Sequence, residues 1–280
     1  MSEGPAKGIQ RRKAGNPDRA LRDQGKADAI NQAMNLVHVT AVGAAREILD
    51  AGRFETRRCP VFGKNLVYFF IMRPAYRLRN GDEKSDQINR FPFVFICSPS
   101  NIGTPYHVYP FDTGGAVAGV FGDRPDPYVC LEDYELYPNL ESAAAHIDWA
   151  FGSIGAYLDG ELREGLADRI PHWKAVARGF LTIAGMASSR HNQPDMRASS
   201  IEVAYQANIP LKGAVKLAII PKQFLECGAN KNDFIIDKLN KIGVKWETYD
   251  WQPNLPPNEF FDVISEITKN YFSNLSDHRA

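Results

Sequence analysis

Hydrophobic positions along this chain fall in short runs separated by Gly, Pro and charged clusters. Some runs are near-continuous or alternate with period two, which suits strands. Others repeat every three to four residues, which suits helices. Residues 35–40 are apolar and β-branched and read as a strand. Residues 41–51 follow with Ala44, Ile48 and Leu49 at helical spacing, and Gly52 is the natural stop because it accepts a left-handed backbone. The longest apolar run, 66–72, reads as a second strand, introduced by a turn at 62–65 and closed by Pro74.

Further along, 77–90 is polar and reads as a loop, 91–97 as a third strand and 108–111 as a short fourth. The Gly-rich stretch 112–122 reads as a flexible loop. Residues 142–158 carry Ala143, Ile147, Ala150, Phe151, Ile154 and Leu158, a helical stripe, and a second helix is expected over 171–184. Strands follow at 201–205 and 215–220, the latter ended by Pro221. A helix at 233–242, a strand at 244–249 and a helix at 257–272 complete the chain. Strands and helices mix without regular alternation, which predicts an α+β fold rather than a doubly wound parallel sheet.

Length and composition narrow the class. The chain has 280 residues, enough for a core without staples, and 33 basic residues balance 33 acidic ones. A globally basic nucleic-acid coat and a strongly acidic solvating chain are both excluded. No apolar run approaches the roughly 18 residues of a membrane span, and the polar N-terminus lacks a signal-type apolar region. A soluble cytoplasmic protein is expected. Cys59, Cys97, Cys130 and Cys227 are scattered, without metal-ligand spacing, and read as reduced thiols. Residues 1–28 have almost no large apolar side chains and read as a flexible basic tail. Residues 29–280 read as a single domain.

The neutral total hides sorted charge. Residues 1–26 carry seven basic and three acidic residues, 46–90 carry ten and six, and 112–168 carry two and twelve. The acidic stretch should repel nucleic acid, and either suit a basic protein partner or cover a functional site before activation.

Several motifs lead nowhere. Phe111-Asp112-Thr113-Gly114 contains the Asp-Thr-Gly triplet of aspartic proteases, but that chemistry needs two carboxylates sharing a proton and there is one copy. A capped turn is the simpler reading. The glycines at 114–122 match neither phosphate-binding fingerprint. The histidines show no metal spacing.

Three segments carry candidate chemistry. The first is His38-Val39-Thr40, followed by Ile48-Leu-Asp-Ala-Gly52-Arg-Phe54. The second is Val67-Tyr68-Phe69, followed by Arg73-Pro-Ala-Tyr76 and Arg77. The third is Glu202 in Ser199-Ser-Ile-Glu202-Val. Together they resemble the ADP-ribosyltransferases of the diphtheria-toxin and poly(ADP-ribose) polymerase group, whose site is a His-Tyr-Glu set. Val39 stands where the family usually has Gly. Ser200 stands where the arginine-modifying relatives have Glu or Gln.

The resemblance implies a split β-sandwich with flanking helices, in which 98–198 would be a family-specific insert. It implies NAD as substrate and no metal. It makes Glu202, His38 and Tyr76 the catalytic candidates and His38, Val39, Thr40, Tyr68, Tyr76, Arg73 and Arg77 the NAD-binding ones. His38 would meet a ribose hydroxyl, the Val39 backbone and Thr40 the carboxamide, Tyr68 and Tyr76 the nicotinamide ring, and the arginines the pyrophosphate. Glu202 would stabilise positive charge on the ribose, as carboxylates do in glycoside chemistry. The expected activity is mono-ADP-ribosyl transfer to a protein or nucleic-acid acceptor, DNA or RNA, by a bacterial toxin or anti-phage defence effector. An antitoxin or regulatory protein would be a natural partner, and no membrane is implied. The alternatives are a silent NAD, ADP-ribose or nucleic-acid binding module, an RNA 2'-phosphotransferase and an NAD glycohydrolase.

Overall fold

The computed structural model describes residues 7–76, 87–189, 195–226 and 233–277. Their strands are β1 (Leu36–Ala41), β2 (Arg53–Phe54), β3 (Arg57–Arg58), β4 (Asn65–Ile71), β5 (Pro92–Cys97), β6 (His107–Tyr109), β7 (Glu202–Tyr205), β8 (Ile209–Pro210), β9 (Val215–Pro221) and β10 (Lys245–Tyr249). With the helices between them they make the expected α+β protein. The chain forms two compact units. One gathers Met1–Gln32, Arg58–Lys64 and Thr104–Tyr205, the other Ala33–Arg57, Asn65–Gly103 and Gln206–Ala280. No described helix is long and apolar enough to cross a membrane.

The unit around β1 holds five strands in the order β10-β9-β5-β1-β4. β5 is buried at every position, as expected of a central strand covered on both faces, and this explains its unbroken apolar run. Its neighbours β1 and β9 run antiparallel to it. β10 pairs β9 in parallel, which requires a long crossover; the helix Asp233–Lys241 lies in that connection. Tyr249 Oη donates to the Pro92 carbonyl at 2.8 Å. Gly52 closes the helix Val42–Ala51 at φ 66°. That helix buries Val42, Ala45 and Leu49; of the expected stripe Leu49 is buried, while Ala44 and Ile48 are half-buried. β2 and β8 form a separate two-stranded sheet that the sequence did not announce.

In the other unit β6 pairs β7 antiparallel, with Tyr109 opposite Glu202. The stripe expected as one helix over 142–158 is two, Leu140–Phe151 and Ile154–Asp159. Gly152 turns left-handed at φ 81° and Ser153 caps the second helix by accepting from the Ala156 amide. The Gly-rich stretch expected as a loop opens with the helix Thr113–Val117, where Asp112 accepts from the Gly115 amide as the N-cap. The capped-turn reading of Asp112 is therefore the observed one.

Residues of the segment expected as a free tail are bonded throughout this same unit. Ile9 and Leu21 are buried. The Ile9 amide donates to the Ala116 carbonyl and the Leu131 amide to the Gln10 carbonyl, each at 2.9 Å. Asp133, 1% exposed, is the anchor. It accepts from the Arg12 guanidinium, the Asp18 amide and the Cys130 amide. Arg19 and Arg22 both pair with Glu135, and the Lys26 amide donates to Asp148. Much of the acidic stretch thus meets the chain's own arginines rather than awaiting a basic partner.

Two packing features give predictions. On the helix Ala175–Ser189, a Cβ at Gly179 would lie 2.2 Å from Tyr134 Oη, and Tyr134 is buried and cannot retreat. Gly179→Ala is predicted to destabilise by about 1–3 kcal/mol despite alanine's better helix propensity, read as a lowered Tm. His146 is wedged edge-on against Phe180, with centroids 4.7 Å apart, and neither ring nitrogen has a hydrogen-bond partner among the described residues. Burial pushes its pKa down to about 3. A folded pKa below the unfolded one gives stability that is complete above the unfolded value and is lost as pH falls. Between pH 6 and 4 this group alone contributes a slope approaching 1.4 kcal/mol per pH unit, about one proton's worth. Denaturant titrations of His146→Leu should lack that slope; an unchanged slope would refute the assignment.

Candidate active site

In the unit around β1, His38, Val39 and Thr40 lie where β1 and β4 part. β1 pairs β5 over all six of its residues, from Leu36↔Cys97 to Ala41↔Pro92. With β4 the register covers Leu36↔Ile71 and Val37↔Phe70. Beyond those pairs His38 takes over: its Nδ1 lies 2.8 Å from the Tyr68 carbonyl. A carbonyl only accepts, so Nδ1 carries the proton and donates. Nε2 of the neutral ring is left as an acceptor. The ring sits among Phe54, Phe69 and Phe95, with centroids 4.9, 5.5 and 6.5 Å away. Desolvation there holds its pKa below the usual histidine value, with Arg57 adding to the effect. His38 as a whole residue is half-buried, as are Val39 and Thr40 after it.

Tyr68 enters this cluster through its backbone. Phe69 faces His38, and successive side chains of a strand point to opposite faces, so the Tyr68 ring lies on the other face of the sheet. After β4 the chain bends sharply. Met72 has φ 52°, the left-handed region that non-glycine residues rarely occupy. It is fully buried and its amide donates to the Asn35 carbonyl at 2.9 Å. Strained backbone of this kind persists only where its surroundings hold it, and it concentrates at functional sites. The bend delivers Arg73, 2% exposed, and then Tyr76. Tyr76 Oη donates to the Pro257 carbonyl at 2.8 Å, and its ring lies 5.9 Å from that of Phe261. Burial, with Asp262 nearby, pushes its hydroxyl pKa well above the ordinary tyrosine value. Arg77 lies outside the described residues.

Glu202 belongs to the other unit. The backbone leading to it is tied down: Ser200 Oγ donates to the Met196 carbonyl, and the Ile201 amide donates to Tyr157 Oη. The Glu202 carboxylate is 4% exposed. It accepts from Thr113 Oγ1 at 2.7 Å and from the Thr113 amide at 3.2 Å, and His107 Nε2 lies 3.3 Å from its Oε1. Burial pushes its pKa up to about 7, against the two Thr113 bonds. Asp112 is pushed up to about 6 by burial and by the Glu202 charge, with Arg197 opposing. Arg197 pairs with Asp112 at 3.4 Å and with Asp195 at 2.9 Å. Two carboxyl groups are thus poised to titrate near neutrality, a condition suited to proton transfer.

The predicted residues fall into two groups. His38, Val39, Thr40, the Tyr68 carbonyl, Arg73 and Tyr76 belong to one unit. Glu202 belongs to the other, where its neighbours are residues that sequence reasoning passed over. Thr113 was visible only as part of a discarded triplet, and His107 as a lone histidine. Each is placed against Glu202 by a fold contact nearly a hundred residues long, which no local pattern encodes. Among the described residues no group of three or more His, Cys, Asp or Glu could hold a metal ion.

No protein-family model matches the chain, and no curated protein matches it. Among solved structures it is similar to DarT of Thermus sp. 2.9 in complex with carba-NAD+, at TM-score 0.36 and 11% identity over 76% of this chain and 94% of that one. It is also similar to the same protein in complex with NAD+, at TM-score 0.35 and 12% identity over 78% and 97%. A third similarity is to DarT in complex with ADP-ribosylated ssDNA, at 0.36 and 11% over 79% and 97%. Likeness at this level establishes neither family nor activity.

Proposed function

We propose that the chain is an NAD-consuming mono-ADP-ribosyltransferase. The observation that carries the reading is His38: a neutral imidazole on a half-buried residue, whose Nδ1–H is committed to the Tyr68 carbonyl. Its free Nε2 lone pair suits a ribose hydroxyl, which donates. The placement at the parting of β1 from β4, in the sequence context His38-Val39-Thr40, agrees with the family resemblance. In this reading Val39 and Thr40 hold the carboxamide, Tyr76 lies against the nicotinamide, and Arg73 and Arg77 answer the pyrophosphate. Tyr68 supports His38 through its carbonyl, a different role from the ring stacking expected from sequence.

The reaction breaks the bond from the ribose anomeric carbon to the nicotinamide nitrogen. The electron pair leaves with nicotinamide, which departs neutral, and positive charge develops on the ribose. Ionised Glu202 stabilises that charge. The acceptor supplies the electron pair for the new bond and loses a proton, for which Glu202 is the base. The products are ADP-ribosylated acceptor, nicotinamide and one proton.

The test is nicotinamide release and label transfer from radiolabelled NAD. Single-stranded DNA, RNA and cell protein would be offered as acceptors, with DNA first because DarT has been seen with ADP-ribosylated ssDNA. Glu202→Gln is predicted to lower kcat by at least about a hundredfold. His38→Ala is predicted to raise KM for NAD about tenfold, the loss of one good hydrogen bond. Because the anion is the working form, the rate should rise with pH through about 7, where Glu202 titrates. Full activity in the Glu202→Gln variant would overturn the reading. Calorimetric NAD binding without nicotinamide release would instead mark a silent binding module, and release without a labelled acceptor an NAD glycohydrolase.

A further inference from the structure

Two stretches of one unit, 112–115 and 195–202, are joined by a ring of hydrogen bonds that includes the Glu202 carboxylate. Thr113, 1% exposed, is the link. Its hydroxyl donates to Glu202 Oε1 at 2.7 Å and its amide to Oε2 at 3.2 Å, so one residue holds both oxygens. Asp112 fixes the backbone that carries it. The Asp112 carboxylate accepts from the Gly115 amide at 2.6 Å and pairs with Arg197 at 3.4 Å. The Asp112 amide donates to the Arg197 carbonyl at 3.0 Å. Arg197 is in turn held by Asp195 through both its amide and its guanidinium. From there the chain passes through the one-turn helix Met196–Ser199 to Glu202, and the Ser200 hydroxyl donates back to the Met196 carbonyl. The two backbones that meet at Thr113 and Glu202 are therefore tied together by contacts besides the Thr113–Glu202 bonds.

We infer that Thr113 is the positioning residue for Glu202, fixing the carboxylate's rotamer through both oxygens and favouring its ionised form. The inference rests on the reading of Glu202 as the catalytic carboxylate. A backbone N–H only donates, and it bonds an anionic oxygen more strongly than a neutral one. The hydroxyl also donates to the anion, but it can turn to accept from a protonated carboxyl, so it favours ionisation by less. Burial pushes the Glu202 pKa up to about 7, and both Thr113 bonds act against that rise. Holding two oxygens at once also stops rotation of the carboxylate plane, which a single donor would permit.

The charged and titratable groups nearby do not replace these bonds. Asp112 carries like charge: the Glu202 anion helps to push the Asp112 pKa up to about 6. Arg197 is divided between Asp112 and Asp195. Tyr109, opposite Glu202 on β6, is held protonated by burial, with its hydroxyl pKa far above neutrality. His107 on the same strand stays neutral, because burial pushes its pKa down to about 3. Glu132 and Glu135 are paired with arginines of the N-terminal segment. The opposition to burial at Glu202 comes from Thr113.

The experiment follows the Glu202 carboxyl by carbon-13 NMR titration, with the pH–rate profile and the kcat and KM for NAD, in the full chain. Thr113→Val keeps the shape and the amide and removes the hydroxyl. Its Glu202 titration and the rising limb of its rate are predicted to move up by about one pH unit. That lowers kcat at pH 7 about fivefold, leaves KM for NAD unchanged and gives a deficit that shrinks as pH rises. Thr113→Ser restores the hydroxyl and is predicted to bring both back toward wild type. In the wild type the Thr113 amide proton is predicted to move downfield as Glu202 ionises, with the same midpoint as the carboxyl carbon, and Glu202→Gln should abolish that movement. This measurement decides the matter if Thr113→Val does not fold. An unmoved Glu202 titration in folded Thr113→Val, or a Thr113 amide that does not follow Glu202, overturns the positioning role, and with Glu202→Gln inactive it leaves the proposed activity standing. Full activity in Glu202→Gln overturns the proposed activity, and the NMR titrations then still decide whether Thr113 sets the Glu202 pKa.

Discussion

Arg12 meets Asp133 where the carboxylate has almost no water left, and much of one unit is arranged around that meeting. A buried carboxylate is costly unless donors surround it. Asp133 obtains its donors from the Arg12 guanidinium, the Asp18 amide and the Cys130 amide. Two of these lie in the N-terminal segment, so satisfying Asp133 fastens that segment to the short helix Leu131–Tyr134. Arg11, next to Arg12 in the fastened segment, pairs with Glu132 and lies over the Phe62 ring. Three acids of the stretch 112–168, Glu132, Asp133 and Glu135, find their basic partners in the chain's own first residues.

The other unit depends on an interruption rather than a satisfied pair. β1 is fully paired to β5, but its ladder with β4 gives way after Val37. An unpaired backbone carbonyl inside a sheet would normally be a liability. Here the Tyr68 carbonyl is satisfied by an imidazole, which converts a ladder defect into a fixed histidine tautomer. Immediately after β4 the chain spends conformational energy again at Met72. An unbroken ladder and an unstrained turn would be more stable, and an unbroken ladder would not fix the His38 tautomer. Both departures from local ideality sit on segments that the sequence motifs had marked, as expected where function competes with stability.

The legible part of the fold was whatever depended on local period. β4 and β5 were readable because a strand covered on both faces is apolar without interruption, and the helix Val42–Ala51 because Gly52 ends it. The helix expected over 142–158 failed at Gly152-Ser153, where a left-handed residue and a cap outweigh a continuous apolar stripe. The N-terminal segment was misjudged for a related reason. It lacks apolar residues because polar pairing holds it, and hydrophobic pattern is blind to that. For the candidate site, His38 and Glu202 stood out through motif order. Thr113 and His107 did not, because each meets Glu202 only across a long stretch of chain that the fold brings together. Tyr68 shows the limit of a motif: strand alternation decides whether ring or carbonyl faces the histidine.

The buried titratable groups of this chain share one tendency. Desolvation keeps His38, His107 and His146 neutral by lowering their pKa values, and it favours neutral Glu202 and Asp112 by raising theirs. The consequences for stability have opposite signs. The histidines withdraw stability as pH falls below their unfolded values, whereas the carboxyls withdraw it as pH rises toward their folded ones. On the proposed reading this gives Glu202 a use for its own cost. An anion that is expensive in the resting site is stabilised most when positive charge appears on the ribose, so its interaction is stronger in the transition state than in the ground state. Only such a difference accelerates the chemical step. A fully solvated glutamate would ionise without penalty, yet water would screen much of its attraction for the developing charge. The burial that makes Glu202 titrate near neutrality is therefore the same property that would make it effective.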